Sequence, residues 1–130
     1  MGCPVVHFEI YGDNPEKLGA FYRDVFGWQV MRAPGMEYWM LGTVPVDEQF
    51  RPKEPGGING GLMKRPMPDA RCWMSYVQVD QLEAAAKQIE AKGGKVLKAR
   101  TPIPGMGAFM VVADPEGNPF GIWELGQPPK

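Results

Sequence analysis

The sequence predicts an α+β fold made of two tandem βαβββ modules. Three observations predict it: a strand–helix–Gly–strand block over residues 5–31, its recurrence 67 residues downstream, and two further strand-like segments after each copy. A βαβββ unit leaves one sheet face bare. Pairing two such units covers part of that face and leaves a curved sheet with a concave cavity suited to a ligand.

Each element has its own local reason. Val5-Val6-His7-Phe8-Glu9-Ile10 is rich in β-branched and aromatic residues and runs into the turn residues Gly12-Asp13-Asn14, so it reads as a strand. Asp13 followed by Glu16 has the form of a capping box, and Pro15 is tolerated in a first helical turn. Leu18, Phe21, Tyr22, Val25 and Phe26 then recur at helical spacing, Gly27 supplies the stop, and Trp28 to Met31 opens another strand. Met36 to Gly42 and Ile58 to Met63 complete the first module, separated by the polar, Pro-rich stretch from Pro45 to Gly57.

In the second copy Trp73 to Val77 is the strand, and Asp80 with Glu83 repeats the cap at the 67-residue offset. Leu82, Ala85, Ala86 and Ile89 give the helix its apolar face, Gly94 matches Gly27, and Lys95 to Leu97 starts the next strand. Ala108 to Ala113 and Phe120 to Leu125 follow, joined by the turn Asp114-Pro115-Glu116-Gly117-Asn118. Residues 1–130 are thus expected to form one domain: a first module over 5–64, a linker over 65–71 carrying Pro66 and Pro68, and a second module over 72–126.

Composition narrows the function classes. Hydrophobic residues make up 44% and charged residues 22%, the balance of an ordinary globular protein with a real core. The 14 basic and 15 acidic residues are mixed along the chain, so no basic stripe exists to neutralise phosphates and nucleic acid is excluded as a partner. Cys3 and Cys72 lack metal-binding spacing and read as reduced thiols. No basic, apolar leader and no long apolar run is present, which excludes a membrane partner and points to the cytoplasm.

The duplicated plan, with a histidine on the first strand, resembles the vicinal oxygen chelate superfamily of glyoxalases, bleomycin-resistance proteins and extradiol dioxygenases. His7-Phe8-Glu9-Ile10, Phe21-Tyr22-Arg23-Asp24-Val25-Phe26-Gly27-Trp28 and Asp114-Pro115-Glu116-Gly117-Asn118-Pro119-Phe120 carry the resemblance, in order and across nearly the whole chain. It implies paired βαβββ modules, often a homodimer, and a small-molecule ligand. The superfamily hosts lyases, dioxygenases, epimerases, thiol transferases and drug-binding proteins, so the fold does not choose the chemistry.

The resemblance also implies a divalent metal site, with one ligand from the first and one from the last strand of each module. Carried onto this sequence, those positions are His7, a residue at or beside Gly60, Met74 and Gly121. A thioether is a poor ligand for hard or borderline ions and glycine offers no side chain, so the site reads as degenerate and no cofactor is expected. Strand alternation places Glu9 on the face of His7, which leaves weak divalent binding by that pair open. The same two residues are the candidate catalytic pair, a carboxylate orienting an imidazole for acid–base work. The plainer reading of His7 is a hydrogen-bonded residue lining the face.

For ligand binding, alternation adds Met74, Tyr76, Gly121 and Trp123 to His7 and Glu9, and the middle strands add Tyr38, Met40, and Phe109 or Met110. Glycines at the lost ligand positions would open volume among Met and aromatic side chains, which suits an apolar or aromatic molecule. The stretches from Pro45 to Gly57 and from Pro102 to Gly107 are candidate lids. Three functions compete: a metal-free binder of a small hydrophobic or aromatic molecule, an enzyme of the lyase or dioxygenase type, and a module regulating partner proteins.

Overall fold

The computed structural model describes residues 2–49 and 51–126. The chain divides into two compact units, one running from His7 to Trp73 and the other from Met74 onward together with the residues before His7. The first unit carries β1 (Val5–Gly12), α1 (Pro15–Phe26), β2 (Gln29–Arg32), β3 (Tyr38–Gly42) and β4 (Gly60–Lys64), with the first two residues of β1 grouping with the other unit. Its strands lie in the order β2-β3-β4-β1. β1 and β4 run parallel and the remaining pairs antiparallel.

The second unit repeats this plan. It carries β5 (Met74–Gln78), α2 (Leu82–Ala91), β6 (Lys95–Ile103), β7 (Gly107–Ala113) and β8 (Pro119–Glu124), in the order β5-β8-β7-β6. β5 and β8 are again the parallel pair. The α+β class and the tandem βαβββ plan are therefore as expected. Among the described residues no helix is long and apolar enough to cross a membrane.

Each unit buries one face of its strands. In the first, Ile10, Leu41 and Leu62 are buried, with Phe8, Leu18, Tyr22, Trp28, Val30 and Trp39 packed around them. In the second, Leu82 and Ala86 of α2 pack with Ala108, Met110, Val112 and Ile122. Because strand side chains alternate, residues one step along from each core residue face the other way. That places Met110 in the core and Phe109 on the opposite face, which decides between the two.

The helix ends differ from the capping reading by one residue. Asn14, not Asp13, is the N-cap of α1 and accepts the Lys17 N–H at 3.3 Å, with Pro15 in the first turn. Asp13 instead accepts from Arg65 Nε at 3.1 Å. In α2 the cap position is Gln81, whose side chain makes no cap bond; Glu124 of β8 takes the Leu82 N–H at 2.9 Å. α2 has 10 residues against 12 in α1, so its left-handed stop arrives early, at Gly93 (φ +97°) rather than Gly94.

Neither candidate lid is a bare loop. β6 runs through Pro102 and Ile103, and only a tight turn separates it from β7. The Met106 N–H donates to the Ile103 carbonyl at 2.9 Å, and Trp123 Nε1 donates to the Met106 carbonyl at 2.8 Å, so this hairpin tip is pinned. In the other stretch Val46 bridges Pro52, and the Asp47 carboxylate accepts the Gln49 and Arg51 N–H groups. Asn59 Oδ1 accepts the Thr43 and Val44 N–H groups at 2.9 and 3.4 Å and so fixes the exit of β3.

Candidate functional site

In the first unit the face opposite α1 collects a set of polar side chains. β1 presents His7, Glu9 and Tyr11 at alternate positions, and register pairs Glu9 with Gly61 of β4. β3 contributes Tyr38 and Met40, Met40 lying opposite Gly61 and Tyr38 opposite Met63. Among the sequence-predicted residues His7, Glu9 and Tyr38 are joined by hydrogen bonds, and Met40 shares their face.

Glu9 is buried, and buried carboxylates require partners. Tyr11 donates its hydroxyl to Glu9 Oε1 at 2.6 Å, and Tyr38 donates to Oε2 at 3.0 Å. His7 Nε2 lies 3.0 Å from the same Tyr38 hydroxyl. Burial is the main cause that lowers the His7 pKa below its usual 6.5, the Glu9 charge opposing it, so His7 is neutral at neutral pH. Burial first, and then the Glu9 charge, raises Tyr38 far above the usual phenol range and keeps it a donor.

Glycine makes this arrangement possible. A Cβ on Gly61 would overlap the hydroxyl end of Tyr38, so the ring sits where a side chain from β4 would stand. The second unit repeats the device: a Cβ on Gly121 would overlap the Tyr76 ring, whose residue pairs with it in register. The expectation that these glycines open volume is therefore corrected, because a tyrosine fills each seat. The position in β4 that matches Gly121 is Gly61; Gly60 faces the core side, against Phe8.

In the second unit Met74, Tyr76, Gly121, Trp123 and Phe109 share one face by register. Tyr76 and Phe109 meet edge to face at 6.2 Å, and the Lys98 ammonium lies 5.3 Å over the Phe109 ring. Trp123 is spent in part on the β6–β7 turn through its indole N–H.

Of the four positions that the resemblance implies for a divalent metal, only His7 carries a side chain suited to one. Both oxygens of Glu9 accept phenol protons, and the last-strand positions at Gly61 and Gly121 are covered by tyrosines. Among the described residues no three His, Cys, Asp or Glu side chains come together. One participant, Tyr11, escaped the sequence reading, and the β4 position, expected at or beside Gly60, resolves to Gly61. One more step of strand alternation from Glu9 reaches Tyr11, whereas Gly61 needs the β1–β4 register.

Comparison with known proteins identifies the family. A family model described as "Glyoxalase-like domain" matches residues 8–123. CFP32 of Mycobacterium tuberculosis, provisionally named a glyoxylase, is 32% identical over 116 residues, covering 88% of this chain and 41% of the relative. The anthracycline biosynthesis protein DnrV of Streptomyces peucetius is 30% identical over 133 residues, covering 92% of this chain and 46% of the relative. The chain thus spans a little under half the length of these curated relatives. A glyoxylase-like domain-containing protein of Didymella fabae is 30% identical with 88% of both chains covered. Among solved structures, methylmalonyl-CoA epimerase from Mycobacterium tuberculosis superposes with a TM-score of 0.68 at 12% identity, covering 95% of this chain and 88% of that one. A glyoxalase/bleomycin resistance protein/dioxygenase superfamily member from Vibrio splendidus gives 0.60 at 17%, covering 95% and 99%. At such identities these structures share the fold alone.

Proposed function

The chain belongs to the glyoxalase-like domain family, and on that premise we propose that it is a metal-free binder of a small apolar or aromatic molecule. The ligand lies against the first-unit face that carries His7, Glu9, Tyr38 and Met40. The observation that carries this reading is the double commitment of the Glu9 carboxylate to Tyr11 and Tyr38, with Tyr38 seated over Gly61. Each Glu9 oxygen already accepts a phenol proton and the last-strand position beside it is a glycine covered by Tyr38, which supports the reading that any divalent binding by His7 and Glu9 is weak. Members of the superfamily take small-molecule ligands, and the name of the DnrV relative supports a fused-ring aromatic class.

The test is metal content after purification without chelators, paired with melting in the presence and absence of EDTA. The expected result is no stoichiometric metal and no EDTA shift. Near-stoichiometric metal with a clear drop in Tm overturns the reading. An aromatic ligand at 100 times its Kd should then stabilise the fold by about 2.7 kcal/mol.

A second reading, an enzyme using His7 and Glu9 as acid and base, is favoured by the neutral, half-buried His7 linked to a carboxylate through a phenol. His7→Ala separates the two: binding largely survives under the first and turnover is abolished under the second. The protein is further proposed to act in the cytoplasm as a homodimer, with light scattering expected to give twice the 14.4 kDa chain mass.

A further inference from the structure

The two sides of α1 have different tasks. Leu18 and Tyr22 pack against the first-unit core and Gly19 is buried, whereas Phe21 and Val25 are 53% and 56% exposed. Apolar side chains scattered singly on a surface need no explanation, but these two adjoin, one helical turn apart. The stripe they form continues into charge. Lys17 stands one turn before Phe21 and Asp24 about one turn after it, both exposed. At about 1.5 Å of rise per residue, they lie about 6 Å and about 4.5 Å to either side of Phe21 along the helix. Phe21 also stands at an open cavity of about 410 Å³, whose walls include Tyr11, Asn14, Lys17, Leu18 and Arg65.

Such a stripe is complementary to itself. If a second α1 is turned end for end about a two-fold axis beside Phe21, each Lys17 meets Asp24 of the other copy. The two Phe21 rings then meet at the axis, each at the mouth of the other copy's cavity. We propose that the outer side of α1 is a contact between two copies of this chain, packed antiparallel along Lys17, Phe21, Asp24 and Val25. A two-fold contact uses the same patch on both subunits, so one pair of opposite charges serves twice. A strongly acidic or basic partner finds no match in a stripe whose two charges cancel, whereas the stripe reversed supplies the order of charge it needs. Asp24 pairs with Arg23 through Oδ1 at 3.3 Å, and both side chains are more than half exposed, so that pair is solvated and of little strength. Phenylalanine at the axis is the residue type that interface centres favour. The contact rests on the homodimer proposed above and says which surface forms it.

Sedimentation equilibrium of the full chain over a concentration series reads the dimer Kd. The wild type should sediment at twice 14.4 kDa. Phe21→Asp should raise Kd about thirtyfold or more, the loss of a central aromatic anchor. Lys17→Glu and Asp24→Lys each set like charges opposite one another at two symmetric places, and each should raise Kd about tenfold or more. The double variant Lys17→Glu/Asp24→Lys restores opposite charges and should recover most of the wild-type affinity. Both reversals place an acid nearer the helix N-terminus or a base nearer its C-terminus, which favours α1 itself, so weaker association cannot be laid to a weaker helix.

A dimer whose Kd none of these variants moves overturns the contact and leaves the homodimer itself standing. So does a charge-swapped double variant that associates no better than its single parents. A wild type that stays monomeric at every concentration overturns both. If Phe21→Asp does not fold, shown by loss of the helical circular dichroism, the charge reversals and their combination decide.

Discussion

Two glycine–tyrosine pairs decide what this protein's faces can hold. Gly61 and Gly121 are glycines because Tyr38 and Tyr76 occupy the volume of their missing side chains. Gly121→Ala should therefore force the Tyr76 ring to move, at a cost of about 1–3 kcal/mol typical of overpacking, measured as a lower urea midpoint with unchanged m. A midpoint equal to wild type would mean that the ring has room to shift. At this scale the sequence was half legible. Alternation along Val5–Gly12 put His7 and Glu9 on one face, as the structure has them. Reading glycine as open space failed, because the filling side chain comes from a neighbouring strand, and which neighbour lies opposite is set by register.

Helices and strands were legible almost throughout, since periodicity and turn residues are local signals. What local signals missed were the groups that close helix ends from elsewhere. Asn14→Ala should cost about 1 kcal/mol, as loss of a side-chain N-cap does, whereas Asp13→Ala, removing an ion pair whose carboxylate is 80% exposed, should cost under about 0.5 kcal/mol. Equal effects in thermal denaturation would restore Asp13 as the cap. For α2 the cap is Glu124, which also pairs with Arg100 at 2.8 Å. Glu124→Gln should lower Tm less than Glu124→Ala, because the amide oxygen still accepts the Leu82 N–H. No spacing rule reaches Glu124 from α2, since 42 residues separate it from Leu82.

For the whole molecule, the repeated block made the tandem topology readable, because a signal that is weak once is strong when it recurs in order. The stability of that molecule should carry the mark of its single histidine. His7 has a folded pKa below 6.5, so as pH falls through 6.5 the unfolded chain takes up a proton that the native state declines. Native stability should therefore fall with pH below 6.5, until the lower folded pKa is reached. The depressed carboxylates Glu124 and Asp114 lose their stabilising effect only below their ordinary values of 4.5 and 3.8, so in the interval just below pH 6.5 the expected fall comes from His7. Urea melts of His7→Gln across that interval should show a flatter slope than wild type. An unchanged slope would assign the effect to another group.

The backbone N–H of Gln78 donates to the Pro4 carbonyl at 2.9 Å, and the residues before His7 group with the unit that begins at Met74. On the ribosome this reverses the usual order of use. At about 5–20 residues per second, Pro4 waits roughly 4–15 s for its partner to be made, while every residue of the first unit is already outside or in the exit tunnel. Holding the residues before His7 away from their partners during synthesis would then delay the unit that begins at Met74.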